Sequence, residues 1–317
     1  MTDAVRTEAL VKRFGRTTAL RGLDLAVPTG SIFGVIGPNG SGKTTTMRVV
    51  LDIVRPTSGR VEVLGTHPRQ GGPALRRRIG YLPGELKLES RVRGGDLLTH
   101  LARISGGVPQ NEITDLADRL HLDLNRQVRT LSKGNKQKLG IVQAFMHRPD
   151  LLVLDEPTSG LDPLVQQQVH ELLREAAGHG QTVFLSSHVL SEVQNTATEV
   201  AILREGRVIT VNTVEELRRS AIRRVHVEIA DAAAPALHAL LISLPGVSNL
   251  VEPTPTSATL SLSGDPDSLV KTLAHFRVTE LTVEEPDLEQ SVLGLYETPL
   301  SEAPSETPLS DTAADDE

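Results

Sequence analysis

Gly37-Pro38-Asn39-Gly40-Ser41-Gly42-Lys43-Thr44-Thr45 has the spacing of a phosphate-binding loop: Gly, four residues, then Gly-Lys-Ser/Thr. Its flanks agree with that reading. Residues 31–36, Ser-Ile-Phe-Gly-Val-Ile, have the character of a short buried strand, and 45–51 that of a helix. A strand, a glycine loop and a helix in that order are the context the motif requires. Glycines let successive backbone N–H groups turn toward one anion, and the helix N-terminus adds partial positive charge. Lys43 is then expected to reach the β- and γ-phosphates of a nucleotide, and the Thr44 hydroxyl to hold Mg2+. All nine residues from Gly37 to Thr45 are candidate nucleotide contacts. The rival is a glycine-rich turn that happens to carry a lysine.

The 317 residues allow two domains and ample core. The absence of cysteine excludes disulfides, thiolate metal sites and a cysteine nucleophile. Residues 1–16 are charged throughout, so no leader peptide is expected. No apolar run approaches the ~18 residues of a membrane span. The formal charge is -7, but residues 298–317 carry six acids and no Lys or Arg, so the rest of the chain is nearly neutral. Nothing suggests a general nucleic-acid surface, and five Phe and two Tyr supply few platforms for base stacking. No nucleic-acid partner is expected.

Taken in order, residues 5–25 read as two strands around a polar turn that holds Phe14. On local grounds Phe14 is either a ring that stacks on adenine or a small packing contact, the second being favoured. Residues 61–65 are a further strand, and Arg76-Arg77-Arg78, which precedes Ile79-Gly80-Tyr81-Leu82-Pro83, reads as a solvated helix face. The segment 94–128 is largely helical: Leu97, Leu98, Leu101 and Ile104 share one face, as do Ile113, Leu116, Ala117 and Leu120. Leu131-Ser132-Lys133-Gly134-Asn135 opens a helix through 147. Ser132 there is an ordinary N-cap or part of a second anion site.

Leu151-Leu152-Val153-Leu154-Asp155-Glu156 is a buried parallel strand that delivers two acids at its C-terminal end, where ligands bind in open α/β sheets. Asp155 is placed for the Mg2+ hydration shell, and Glu156 to orient or deprotonate a water that attacks the γ-phosphate. Two acids at the end of a buried strand make little sense without a cation. Asp162-Pro163 starts the next helix, with Val165, Val169, Leu172, Leu173 and Ala176 on its apolar face. Residues 182–187 form a strand beside that of Asp155 and deliver His188, a candidate phosphate sensor. A last hairpin turns at Glu205-Gly206.

With these residues in place, residues 3–215 resemble the ATP-binding subunit of an ABC transporter. Gly37–Thr45 matches Walker A and 151–156 Walker B. Ser159-Gly160-Leu161-Asp162 matches the D-loop, His188 the switch histidine, and Phe14 the aromatic A-loop position. Leu131–Asn135 stands where the family has Leu-Ser-Gly-Gly-Gln: Ser132 and Gly134 match, Lys133 and Asn135 depart. The resemblance implies that Ser132, Lys133, Gly134 and Asn135 meet the γ-phosphate of an ATP held by a second subunit, so that two copies, a homodimer in preference to a heterodimer, close on two ATPs. Lys133 then adds charge near that phosphate or faces solvent. Where the Q-loop glutamine is usual stand Gly84 and Glu85; Gly84 has no side chain to touch Mg2+, which leaves Glu85 as the candidate substitute. The Tyr-Leu-Pro-Gly-Glu and Ser-Lys-Gly-Asn forms look like the branch serving type-2 exporters, including antibiotic pumps, which implies a drug, an antibiotic or a lipid as cargo.

The expected fold is α/β, a P-loop cassette over 1–218 with a mixed sheet and a helical subdomain at about 88–148. The order β-α-β-β-α-β over 222–297 is that of a small α+β ferredoxin-like module, which resembles the accessory domain of such exporters and ends in a helix at 286–296. Phe276 is the one aromatic in its sheet segment, 223–283, too few for RNA binding. Residues 298–317 are expected to be a disordered acidic tail. The resemblance implies an ATPase at the cytoplasmic face of the membrane with an integral membrane permease as partner and ATP and Mg2+ as cofactors. Two rivals stand beside it: a soluble ABC-type ATPase acting on ribosomes or DNA, and a nucleotide sensor that does not hydrolyse.

Overall fold

In the computed structural model, which describes residues 2–86, 89–220, 222–230, 234–254 and 256–284, the chain opens with an antiparallel hairpin. Its strands are β1 (Asp3–Phe14) and β2 (Thr17–Pro28). β3 (Ile32–Ile36) leads through the glycine loop into α1 (Lys43–Val50). β4 (Ser58–Val63), α2 (Pro68–Arg77) and β5 (Ile79–Leu82) precede a helical section of α3 (Gly94–Ile104), α4 (Gln110–Arg119) and α5 (Lys133–Phe145). β6 (Leu151–Asp155), α6 (Pro163–Gly178), β7 (Thr182–Ser187) and α7 (Leu190–Gln194) follow, then the hairpin of β8 (Glu199–Arg204) and β9 (Arg207–Thr213), and α8 (Val214–Ser220).

One six-stranded sheet runs β5-β6-β7-β3-β8-β9, parallel except for β9. A three-stranded antiparallel sheet, β2-β1-β4, covers one of its faces. β3 and β6 are apolar at nearly every position because both sides of the large sheet are covered. Leu151 and Val153 enter the core between the sheets with Met47, Val49 and Val50 of α1. Leu152 and Leu154 enter the opposite core, which the helices α3 to α6 close.

Several local expectations shift. The helix after the glycine loop starts at Lys43, two residues earlier than its apolar pattern suggested. β4 ends at Val63 because Leu64 and Gly65 turn the chain at φ 49 and 73. Leu98 of α3 is buried and Leu97 and Leu101 pack at the core edge, but Ile104 is 60% exposed, because it is the last residue of α3 and has left the apolar stripe.

Residues 222–283 form a second sheet from β10 (Ile222–Ile229), α9 (Ala234–Ile242), β11 (Val247–Thr254), β12 (Ser257–Ser263), α10 (Asp267–Leu273) and β13 (Val278–Val283). Its order is β11-β12-β10-β13, every pair antiparallel. Alternation along β10 sends Val225, Val227 and Ile229 into a separate core with Leu237, Leu241 and Leu260. Phe276 packs against that core. The helix expected at 286–296 and the tail at 298–317 lie outside the described residues. Among the described residues, no helix is long and apolar enough to cross a membrane.

Candidate nucleotide site

The loop between β3 and α1 needs its glycines for two different reasons. Gly40 and Gly42 have φ 84 and 113, the left-handed region that residues with a Cβ avoid. At Gly42 a Cβ would also fall 2.8 Å from Leu20 and 3.1 Å from the Ala19 carbonyl. Pro38, Asn39 and Gly40 are exposed, Gly37 is buried, and Thr44 and Thr45 are half-buried at the first turn of α1. Lys43 is 6% exposed, and its ammonium donates to the carbonyls of Gly37 at 2.5 Å and Pro38 at 3.3 Å. Burial pushes its pKa below the ordinary lysine value, while the charges of Glu156 and Asp155 pull it back up. The Ser41 hydroxyl is buried with no hydrogen-bond partner among the described residues.

The acids come from the end of β6. Asp155 pairs with Ser186 of β7 in register and is 3% exposed, its Oδ1 accepting from the Ser186 hydroxyl at 2.5 Å. The next residue, Glu156, sits at φ 51, a strained position for a side chain with a Cβ. Its N–H donates to the Ser186 carbonyl at 3.1 Å, which holds the turn. The turn lifts the Glu156 carboxylate out of the strand until Oε1 lies 3.1 Å from Nδ1 of His188, one residue past β7. Tyr81 of β5 packs against the core between the sheets; burial, then the charge of Asp155, raises its pKa, with Arg48 opposing.

Gly84 stands against Asp155: a Cβ there would lie 3.1 Å from Asp155 Oδ2. The position usual for a glutamine thus faces the acid directly and has no room to spare.

Ser132 caps α5, its hydroxyl accepting from the Asn135 N–H at 3.3 Å. Ser132 and Lys133 are exposed, and Gly134 and Asn135 are half-buried. A Cβ on Gly134 would lie 2.9 Å from the Gly160 carbonyl, and a Cβ on Gly160 would meet Cγ, Cδ and Cε of Lys133 at 3.7–3.9 Å. The Lys133 stem therefore runs along Gly160. Asp162 caps α6 by accepting from the Val165 N–H at 3.1 Å. Phe14 is 50% exposed at the tip of the first hairpin, with the Lys12 ammonium 4.7 Å from its ring centre.

Sequence reasoning missed Gln137. It is 5% exposed on α5 and donates to the carbonyls of Glu156 at 3.0 Å and Pro157 at 3.1 Å. A glutamine two residues past Asn135 looks like surface; only the partner carbonyls, distant in sequence, reveal it.

These residues fit a nucleoside phosphate. A buried ammonium, an unpartnered hydroxyl at Ser41 and the free N–H groups of a helix start face one loop. The Thr44 hydroxyl and the Asp155 carboxylate are oxygen donors of the kind Mg2+ takes.

Comparison with known proteins agrees. Residues 20–159 match the ABC transporter family. The daunorubicin/doxorubicin resistance ATP-binding protein DrrA of Streptomyces peucetius is 32% identical over 324 residues, 100% of this chain and 98% of that protein. The bacitracin transport ATP-binding protein BcrA of Enterococcus faecalis is 34% identical over 239 residues, 74% of this chain and 78% of that protein. The solved structure of an ATP-binding subunit of an ABC transporter superimposes with a TM-score of 0.63 at 28% identity, covering 68% of this chain and 92% of that one. A glycine loop with a buried lysine, a buried acid followed by a second acid raised beside a histidine, and a relative matched over its whole length at 32% identity converge: this chain belongs to the family of ABC transporter ATP-binding subunits.

Proposed function

We propose that the chain hydrolyses MgATP and thereby powers export through a separate membrane-spanning permease, working as a dimer at the cytoplasmic face of the membrane. The observation that carries the reading is the Glu156–His188 pair, held at 3.1 Å beside a buried Asp155 and within electrostatic reach of Lys43. Lys43 and the amides of residues 37–45 hold the β- and γ-phosphates. Phe14 stacks on adenine. Thr44 and Asp155 hold Mg2+, with Glu85 in reserve beside Gly84; the ion, when bound, offsets phosphate charge. Glu156 takes a proton from the attacking water, and His188 orients Glu156 and so stabilises the arrangement of the γ-phosphate and its water. Ser132, Lys133, Gly134 and Asn135 of a second copy close the site, and Asp162 positions the loop beside them.

Export of a drug or antibiotic is supported by the full-length likeness to a resistance protein. We further infer that residues 1–218 act as the cassette, with 88–148 its helical subdomain, and that 222–297 are a ferredoxin-like accessory domain. The strand order β11-β12-β10-β13 supports the last point, since it places the first and third strands of the module at its centre.

The test is affinity purification of the Glu156→Gln protein from native membranes with ATP, together with steady-state ATPase assay of the unaltered protein with its co-purified partner. A stoichiometric polytopic membrane protein and phosphate release support the proposal. Recovery alone, or with ribosomes or DNA, overturns the transporter assignment. Recovery with a permease but without turnover overturns hydrolysis.

A further inference from the structure

Among the described residues, the second sheet has one face on its core and the other face open. On the open face, His226 and Glu228 lie two residues apart on β10, the spacing that returns a strand to the same side. Glu280 of β13 stands directly opposite Glu228 in the ladder. Two carboxylates facing each other across a strand pair repel. Among the described residues no lysine or arginine forms an ion pair with either; the one ion-pair partner is His226, its Nε2 3.6 Å from Glu228 Oε1. The imidazole is also steered from behind: Nδ1 is 3.1 Å from the hydroxyl of Thr259, its ladder partner on β12. One ligand atom from each of His226, Glu228 and Glu280 fits within a span of 4.8 Å.

We propose that His226, Glu228 and Glu280 bind a divalent transition-metal ion, with zinc as the expected occupant. One imidazole nitrogen and two carboxylate oxygens are a borderline donor set that suits zinc and is less suited to Mg2+, which prefers an all-oxygen shell. Tetrahedral zinc with bonds of about 2.0–2.1 Å sets its ligand atoms roughly 3.3 Å apart, close to the 3.6 Å between His226 and Glu228. A hydroxyl on Nδ1 is the outer partner that fixes a metal-binding imidazole and directs Nε2 to the ion. The ion cancels the repulsion across β10 and β13, and so ties together the first and last strands of the described module. Three protein ligands leave the outward position for water or a donor from a partner.

The test is isothermal titration of the full chain with zinc chloride in excess Mg2+ and ADP, which keeps the nucleotide site on its own ion. One zinc per chain is expected. His226→Gln and Glu280→Gln, both on the open face, each weaken that site by about tenfold or more, and Thr259→Val, which keeps a β-branched shape, weakens it by roughly 10–100-fold through the imidazole. Melting curves in EDTA verify that each variant folds, and zinc raises the melting temperature of the unaltered chain more than that of the variants. Absence of zinc binding at micromolar concentration overturns the proposal. Zinc binding of unchanged affinity in His226→Gln and Glu280→Gln also overturns it, because the ion then sits elsewhere.

Discussion

Glu156 Oε1 and His188 Nδ1 lie 3.1 Å apart across the C-terminal ends of two adjacent parallel strands, with Asp155 buried beneath them. A carboxylate so placed can take a proton while the imidazole fixes its direction. Glu156→Gln keeps the shape and removes the base, so turnover is expected to fall by about 10²–10⁴-fold with ATP affinity little changed. Single-turnover phosphate release alongside equilibrium ATP binding checks this. In the proposed mechanism the two groups act as a unit, so adding His188→Ala to Glu156→Gln should cost far less than His188→Ala costs alone. Additive losses would mean that the two residues serve separate steps.

Gln137 supports that arrangement from beneath. Its amide serves the carbonyls of Glu156 and Pro157, and so holds the turn that gives Glu156 its positive φ. Gln137→Leu keeps the bulk but leaves the buried side of both carbonyls without its donor. Stability is expected to drop by about 1–3 kcal/mol, read as a lower denaturant midpoint at unchanged slope. Turnover should fall as well, since the Glu156 turn loosens. A variant with full stability would show that water replaces the amide.

At Gly134 the contact is steric. An added Cβ lies 2.9 Å from the backbone carbonyl of Gly160, closer than real Cβ contacts come, so the loop before Asp162 has to move. Gly134→Ala is therefore expected to lower ATPase turnover by roughly 10–100-fold through misplacement, while ATP binding by the single chain stays the same. Equal losses in binding and turnover would place the effect in the phosphate loop instead.

The parts of this site that could be read from sequence are those where local geometry dictates residue type. Gly40 and Gly42 are required by φ, Lys43 and Thr44 by the phosphate loop they follow, and Asp155 by its place at the end of an apolar strand. Asp162-Pro163 marks a helix start for the same local reason. What could not be read depends on partners far along the chain. Nothing near Gln137 shows that it points at a turn 19 residues on. The three-stranded sheet needs β4 to return beside β1 across the whole phosphate loop, a pairing set by the shared core and not by either strand's pattern. Ile104 misled because an apolar stripe has no mark for the residue where its helix stops. The metal-ligand group on β10 and β13 was likewise hidden, because strand order is what brings Glu280 to Glu228.

A cleft between α4 and α6 contains two ion pairs, and one of them has a defined pH response. Both guanidinium branches of Arg119 donate to Glu175, at 2.6 and 2.9 Å, and Arg148 meets Glu112 nearby at 2.7 Å. The Arg119 hydrogen bond, opposed by slight burial, holds the Glu175 carboxyl below its ordinary value and raises that of Arg119. A carboxyl with a depressed folded pKa stabilises the fold above its unfolded pKa and loses that contribution as pH falls through the folded value. With the side chains 33% and 50% exposed, solvent screens the pair to about 0.5–1 kcal/mol at most. Glu175→Gln is thus expected to lower the melting temperature by about 1–3 °C at neutral pH. The difference should shrink toward zero as pH falls below about 4, and it should also shrink in ~1 M salt at neutral pH. Melting curves of the two proteins across pH and salt decide the matter: a gap that persists at low pH assigns the loss to packing between α4 and α6, not to charge.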